Sequence, residues 1–300
     1  MRIQTLRLAL LVSIAGVWCG LPMMAQGADT LDTIRLTRTI HIAHRESSLP
    51  FSYLNENQVP VGYAVDLCKK IAGAVQRELK LPTLRIVYLP VTSVTRIPAI
   101  VEGKADLECG STTNNAERRK QVAFTIPHFV ATVRMLVRAD SGIKNWVDLR
   151  GKTVVTTKGT TTIKLLKDRD TVRSLDLKIV EGADHAASFV MVEDGMAEAF
   201  TMDDALLFGL RASAKAPEKF VVTGAALSAE PYAIMLRKDD PNFKRVVDLE
   251  MARLINDGEL NTLYKKWFEQ PISPRGINMM MPMHFLLRTT LQYPSDSVGD

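Results

Sequence analysis

Glu108 to Arg118, ECGSTTNNAER, is the stretch whose reading decides the fold. It continues an alternating run in which Ala105, Leu107 and Cys109 share one face while Asp106 and Glu108 share the other, the pattern of a strand. The run opens into Gly110, then Ser111, Thr112, Thr113 and two Asn, and then a basic helix start. One reading is chemical: hydroxyls and freed backbone N–H groups donate to an anion, and Arg118 grips a carboxylate with two parallel bonds. The other is purely local, because Ser and Thr are ordinary helix caps. Taken alone, the stretch does not separate the two.

The flanking chain gives it a setting. Upstream, Thr39–His44 alternates as a strand and ends at Arg45-Glu46-Ser47-Ser48. Residues 49–53 read as an extended turn, a helix spans Val65–Leu79, and a strand spans Leu84–Leu89. A loop from Pro90 carries Ser93 and Arg96 into a short helix ending near Gly103. Strand–helix–strand–helix–strand predicts an α/β sheet whose ligands lie beyond the carboxyl ends of the strands. Arg45, Ser93, Arg96, Ser111 and Thr113 all fall there, with Arg118 close behind.

Downstream the pattern recurs. A strand at Ala131–Arg138 crosses to a second unit with strands near 154–157, 177–181, 197–202 and 220–222. Gly159-Thr160-Thr161 sits at a helix N-terminus, where N–H groups and hydroxyls can hold a carboxylate. Asp184-His185 opens the next helix, and the strand at 197–202 delivers Asp203-Asp204 to another. Asp203 is either a cap or a site residue, and pattern leaves that open. Gly151-Lys152-Thr153 is not a nucleotide loop: Trp146 stands where the first Gly is needed, and the Lys precedes a strand. Strands near 131–138 and 224–236 join the units. The expected architecture is therefore α/β and two-lobed, with residues 28–131 plus 230–300 in one lobe, 136–225 in the other, and a hinge of two crossing segments at 132–135 and 226–229.

Composition sets the compartment. Arg2 and Arg7, the apolar run Leu8–Val17 and small residues at 25, 27 and 28 predict a secretory signal peptide over 1–27. Trp18 is a poor neighbour for lipidation of Cys19. Beyond the signal the chain carries 36 Lys+Arg and 33 Asp+Glu, since the 38 Lys+Arg include Arg2 and Arg7, a balance that argues against nucleic acid. Cys68 and Cys109 point to one helix–sheet core, as a bridge or as two buried thiols. The tail from Pro271 is Pro- and Met-rich and is expected to wrap on the surface. Nucleophile elbow, HExxH and Cys/His metal spacings are absent from the sequence. No cofactor or metal is expected.

With these residues in place, the chain resembles the periplasmic solute-binding proteins for polar amino acids that serve ABC importers, and within them the glutamate/aspartate-binding branch. The segments that carry the likeness are HRESSLPFSY (44–53), TSVTRIP (92–98), LECGSTTNNAER (107–118), KGTT (158–161), DH (184–185), MDDALL (202–207) and MLRKDDP (235–241). The resemblance implies the type II two-lobed periplasmic binding-protein fold. It implies that Arg118, Thr113 and Thr161 hold an α-carboxylate, with Thr160 beside them. Ser111 and Asp203 would hold an α-ammonium, and Arg45, Ser93, Arg96 and His185 a side-chain carboxylate. Ser48, where relatives for basic or neutral ligands often carry an aromatic, and the added cation Arg96 make room for a second carboxylate. Lys158 and Val94 depart from the branch next to site positions. The implied partners are an acidic amino acid and an inner-membrane permease, for a monomeric protein in the periplasm. Glu46 is the local candidate to offset Arg45. The alternative is a dehydratase-like enzyme on the same fold, with His185 or Glu108 as the acid/base.

Overall fold

The structure, a computed structural model, describes residues 29–273 and 276–297; the expected signal peptide lies outside them. Two sheets organise the chain. The first has five strands in the spatial order Arg85–Pro90, Thr39–His44, Leu107–Cys109, Met235–Arg237 and Val122–Phe124. The second is built on Lys178–Gly182, Thr153–Thr157, Ala199–Asp203, Phe129–Arg138 and Phe220–Thr223, with Ala229–Tyr232 also pairing with Phe129–Arg138. Each sheet has a parallel heart and antiparallel members: Met235–Arg237 enters the first from the far end of the chain, and Phe129–Arg138 runs antiparallel through the second. This is a mixed α/β fold in two lobes.

The helix Tyr63–Glu78 forms because its apolar residues recur at helical spacing; Leu67, Cys68, Ile71, Ala72 and Val75 are buried against the first sheet. The two thiols expected in that core are joined: Cys68 and Cys109 form a disulfide that closes 41 residues of sequence separation. The bond ties the helix to the strand that delivers Gly110 and Ser111.

The two lobes are connected where Phe129–Tyr232 through Thr132–Ala229 pair as an antiparallel ribbon. Its first-lobe end is fixed by rings. Phe51 lies 4.8 Å from Phe129 and 5.0 Å from Tyr232, and Phe129 stacks on Phe268 at 4.9 Å. All four are buried, so the ribbon leaves the first lobe from a rigid aromatic base. We propose that the ribbon is the hinge, with the expected segments 132–135 and 226–229 at its second-lobe end.

The tail differs from a plain surface wrap. Pro271–Ile272 pairs with Ile277–Asn278, and Phe285–Gln292 is a helix with Leu287 buried. Its N-cap is His284, not a usual cap residue, so the sequence gives little sign of it. Among the described residues no helix is long and apolar enough to cross a membrane.

Replacing both cysteines, Cys68→Ala with Cys109→Ala, is expected to lower stability by about 2–4 kcal/mol, as cross-links of this kind do. Urea unfolding of the oxidised and variant proteins measures it. Equal midpoints would place the bond outside the cooperative fold.

Candidate functional site

The opening corner settles its own ambiguity. Its helix is Ala116–Arg119, and the cap is Asn115, whose side chain accepts from Arg118 N at 2.9 Å. Ser111, Thr112 and Thr113 are therefore not used for capping. Thr113 forms an isolated antiparallel bridge with Tyr232. Arg118 Nη1 donates to Thr113 O at 2.8 Å. Arg96 Nη1 donates to Ser111 O at 3.2 Å and to Thr112 Oγ1 at 2.7 Å, and Thr112 in turn donates to Glu108 Oε2 at 2.6 Å.

The second lobe brings a matching edge. Thr161 is the N-cap residue of helix Thr162–Arg173, yet its hydroxyl donates to Glu230 Oε2 at 3.1 Å rather than capping. Thr160 Oγ1 donates to Thr157 O at 2.7 Å. The paired aspartates also separate. Asp204 accepts from Thr132 N and Oγ1 and from its own neighbour, Ala205 N. Asp203 makes no cap bond; Tyr232 Oη donates to its Oδ2 across the lobes. His185 Nδ1 lies 2.9 Å from Thr157 Oγ1, which is 3.0 Å from Ser188 Oγ.

Nine of the ten expected residues line one small cavity between the lobes: Ser93, Arg96, Ser111, Thr113, Arg118, Thr160, Thr161, His185 and Asp203. Met202 and Leu206 complete it. Arg45 does not line it. It is buried just behind, 1% exposed, and its charge is felt at His185. Its cavity volume is only about 10 Å³, so the facing edges of the two lobes are drawn together around it. A larger groove of about 960 Å³ adjoins and shares Thr113, Arg118, Thr160 and Thr161. None of its lining residues has a buried unpaired polar side-chain atom.

The small cavity region, by contrast, is rich in them. Ser93 Oγ, Arg96 Nε, His185 Nε2, Asp203 Oδ1 and both terminal nitrogens of Arg45 are buried without hydrogen-bond partners. Buried polar groups are normally satisfied, so this set marks a place built for a polar ligand. Burial, with Arg96 nearby, depresses Arg45 to about 10 and Arg118 to about 9; Arg96 is also depressed by burial. Arg45 and Arg118 stay charged at neutral pH. Burial and the cations Arg45 and Arg96 hold His185 well below its ordinary value, as a neutral ring. Burial and Glu230 push Asp203 up to about 8. Arginines and hydroxyls on one side and an aspartate on the other suit a zwitterion carrying extra negative charge.

Two residues of the arrangement were not site candidates in the sequence, and a third, Glu108, was one only for the enzyme alternative. Tyr232 and Thr157 hold Asp203 and His185, and an aromatic or Thr at a strand end gives no distinctive signal. Glu108, not Glu46, is the buried carboxylate beside Arg45; Glu46 is exposed.

Closure rests on two glycines. A Cβ on Gly159 would sit 2.9 Å from Val94 Cγ2 and 3.0 Å from Ser93 O, and φ there is +77°. A Cβ on Gly209 would sit 2.6 Å from Leu49 O in the other lobe.

A profile of the bacterial extracellular solute-binding proteins, family 3, matches residues 40–270. The L-glutamate/L-aspartate-binding protein of Pseudomonas aeruginosa is 46% identical over 272 residues, 90% of each chain. The glutamate/aspartate import solute-binding protein of Escherichia coli is 42% identical over 268 residues, 89% of each. Among solved structures, ArgBP from T. maritima superposes with a TM-score of 0.68 at 29% identity, covering 79% of this chain and 98% of that one.

Gly209→Ala separates closure from folding. Ala is favoured over Gly in a helix by about 1 kcal/mol, so the lobe itself should not suffer. Small-angle scattering is expected to show a more open average shape, and ligand affinity is expected to fall at least tenfold. Unchanged affinity would remove this contact from closure.

Proposed function

The chain belongs to the bacterial extracellular solute-binding proteins, family 3, and from that membership we propose that it captures L-glutamate or L-aspartate between its lobes and hands it to the permease of an ABC importer. It is a transport protein and not an enzyme, as its close relatives are. The proposed setting is the periplasm, reached through the signal peptide expected at 1–27, with an inner-membrane permease as partner and the protein acting as a monomer.

The observation that carries the acidic ligand is the burial of Arg96 and Arg118 at one cavity with Arg45 just behind, and with donor nitrogens to spare on Arg45 and Arg96. In this reading Arg118, Thr113, Thr160 and Thr161 receive the α-carboxylate. Asp203 and Ser111 receive the α-ammonium. Arg96, Ser93 and His185 receive the side-chain carboxylate, with Arg45 behind them supplying charge. A carboxylate selects the His185 tautomer with hydrogen on Nε2, for which Thr157 donates to Nδ1. Binding would then satisfy the buried polar atoms that the protein leaves unpaired.

Arg96→Ala is expected to weaken glutamate binding at least tenfold, about 1.5–3 kcal/mol for a charge-assisted bond. Its effect on L-glutamine should be smaller. Calorimetry decides, and unchanged glutamate affinity would remove Arg96 from the site.

A pH dependence follows from Asp203. The groups facing it are Glu230, Asp204, Tyr232 and Arg118. Its folded value, about 8, lies above the ordinary carboxylate value, so the stability it contributes is present at low pH and is lost as pH rises through 8. A bound ammonium favours the ionised form, so ligand binding releases a proton below pH 8. Glutamate affinity is expected to rise between pH 6 and 8, by at most about tenfold per unit, and to level off above. Calorimetry in buffers of different ionisation enthalpy reads the released proton. The slope should vanish in Asp203→Asn; a slope that survives there would assign it elsewhere.

A further inference from the structure

The buried acid behind the arginines has no place in the ligand contacts described above. Glu108 is fully buried and does not line the cavity. Its charge bears on Arg45, Arg96 and Arg118 alike, whereas Asp203 bears on two of them, and Asp184 and Glu230 on one each. Thr112 holds its Oε2 at 2.6 Å and also accepts from Arg96 at 2.7 Å, so the acid is wired to the cation through a hydroxyl.

Two further features fix its position. A Cβ on Gly110 would lie 2.3 Å from Glu108 Oε1 and 2.9 Å from Arg45 Cγ, so the backbone here leaves room for the carboxylate only because residue 110 has no side chain. Yet Glu108 and Arg45 do not quench each other in a paired bridge. Glu108 Oε1 and both terminal nitrogens of Arg45 are buried with no hydrogen-bond partner. The acid therefore offsets charge without consuming the donors.

We propose that Glu108 is a specificity-determining residue that sets the net charge of the ligand the site accepts. This rests on the acidic amino-acid reading and goes one step further. Three buried guanidinium groups without an internal acid would favour a dianion over an amino acid of net charge −1. One fixed carboxylate behind them shifts the balance to the monoanionic zwitterion. Asp203 reads the ammonium directly, and Glu108 reads total charge from a distance.

The test uses Glu108→Gln, which keeps the size of the side chain and an acceptor for Thr112 but loses the charge. The probes are L-glutamate and glutarate, the same carbon chain without the ammonium and with charge −2. The wild type should prefer glutamate. In Glu108→Gln the glutamate-to-glutarate affinity ratio is expected to fall at least tenfold, while Glu108→Asp, which retains the charge, keeps it within about threefold of wild type. Thr112→Val removes the bond that holds the acid and should move the ratio the same way by a smaller factor; it decides the matter if Glu108→Gln does not fold. An unchanged ratio in the folded variants, or equal weakening of both ligands, overturns the role of Glu108. A wild type that binds no glutamate overturns the acidic-ligand reading itself, a separate outcome.

Discussion

Three arginines buried around one small cavity are the constraint on which the rest depends. Removing a guanidinium from water costs several kcal/mol unless charge and hydrogen bonds replace the solvent. The protein supplies part of that replacement. Arg118 has Thr113 O, and Arg96 has Ser111 O and Thr112 Oγ1. Arg45 has no partner for its terminal nitrogens, and Arg96 has none for Nε. The remainder fits what an anionic ligand would bring. In the proposed function, closure of the lobes and capture of an acidic solute are one event, because the buried cations are best satisfied with the ligand between them.

The scaffold is arranged to make that event cooperative between the lobes. The ribbon at Phe129–Thr132 and Ala229–Tyr232 starts from a ring cluster in the first lobe and carries Tyr232 to Asp203 in the second. The disulfide fixes the strand that ends at the arginine-binding corner. Gly159 and Gly209 let the facing edges approach to contact distance. Each feature holds candidate site residues on packed elements, and the proposed hinge is left to the two crossings.

Much of this was legible in the sequence, for a physical reason. Strand ends in parallel sheets collect on one edge, so Arg45, Ser93, Arg96, Ser111, Thr113, Thr161, His185 and Asp203 could be grouped before any coordinates. Hydrophobic periodicity gave a helix at Val65–Leu79, found at Tyr63–Glu78, and put both cysteines in one core without deciding whether they pair. What pattern could not do was assign a side chain between two local jobs. Asn115 rather than Ser or Thr caps the helix Ala116–Arg119, and Asp204 rather than Asp203 takes the local bonds; both facts depend on rotamers. Long-range support was also invisible. Glu108 read as one face of an alternating strand and as an acid/base only of the enzyme alternative; its burial beside Arg45, and the meeting of Tyr232 with Asp203, come only through the fold. The helix Phe285–Gln292 escaped because it is short and lacks an ordinary cap.

The central claim is that buried positive charge selects an acidic amino acid. The most direct measurement is calorimetry of the ligand-stripped wild-type protein against L-glutamate and L-glutamine, which differ by one carboxylate and little in shape. The account predicts that glutamate binds at least tenfold more tightly, with one ligand per protein. Equal or tighter binding of glutamine would contradict it.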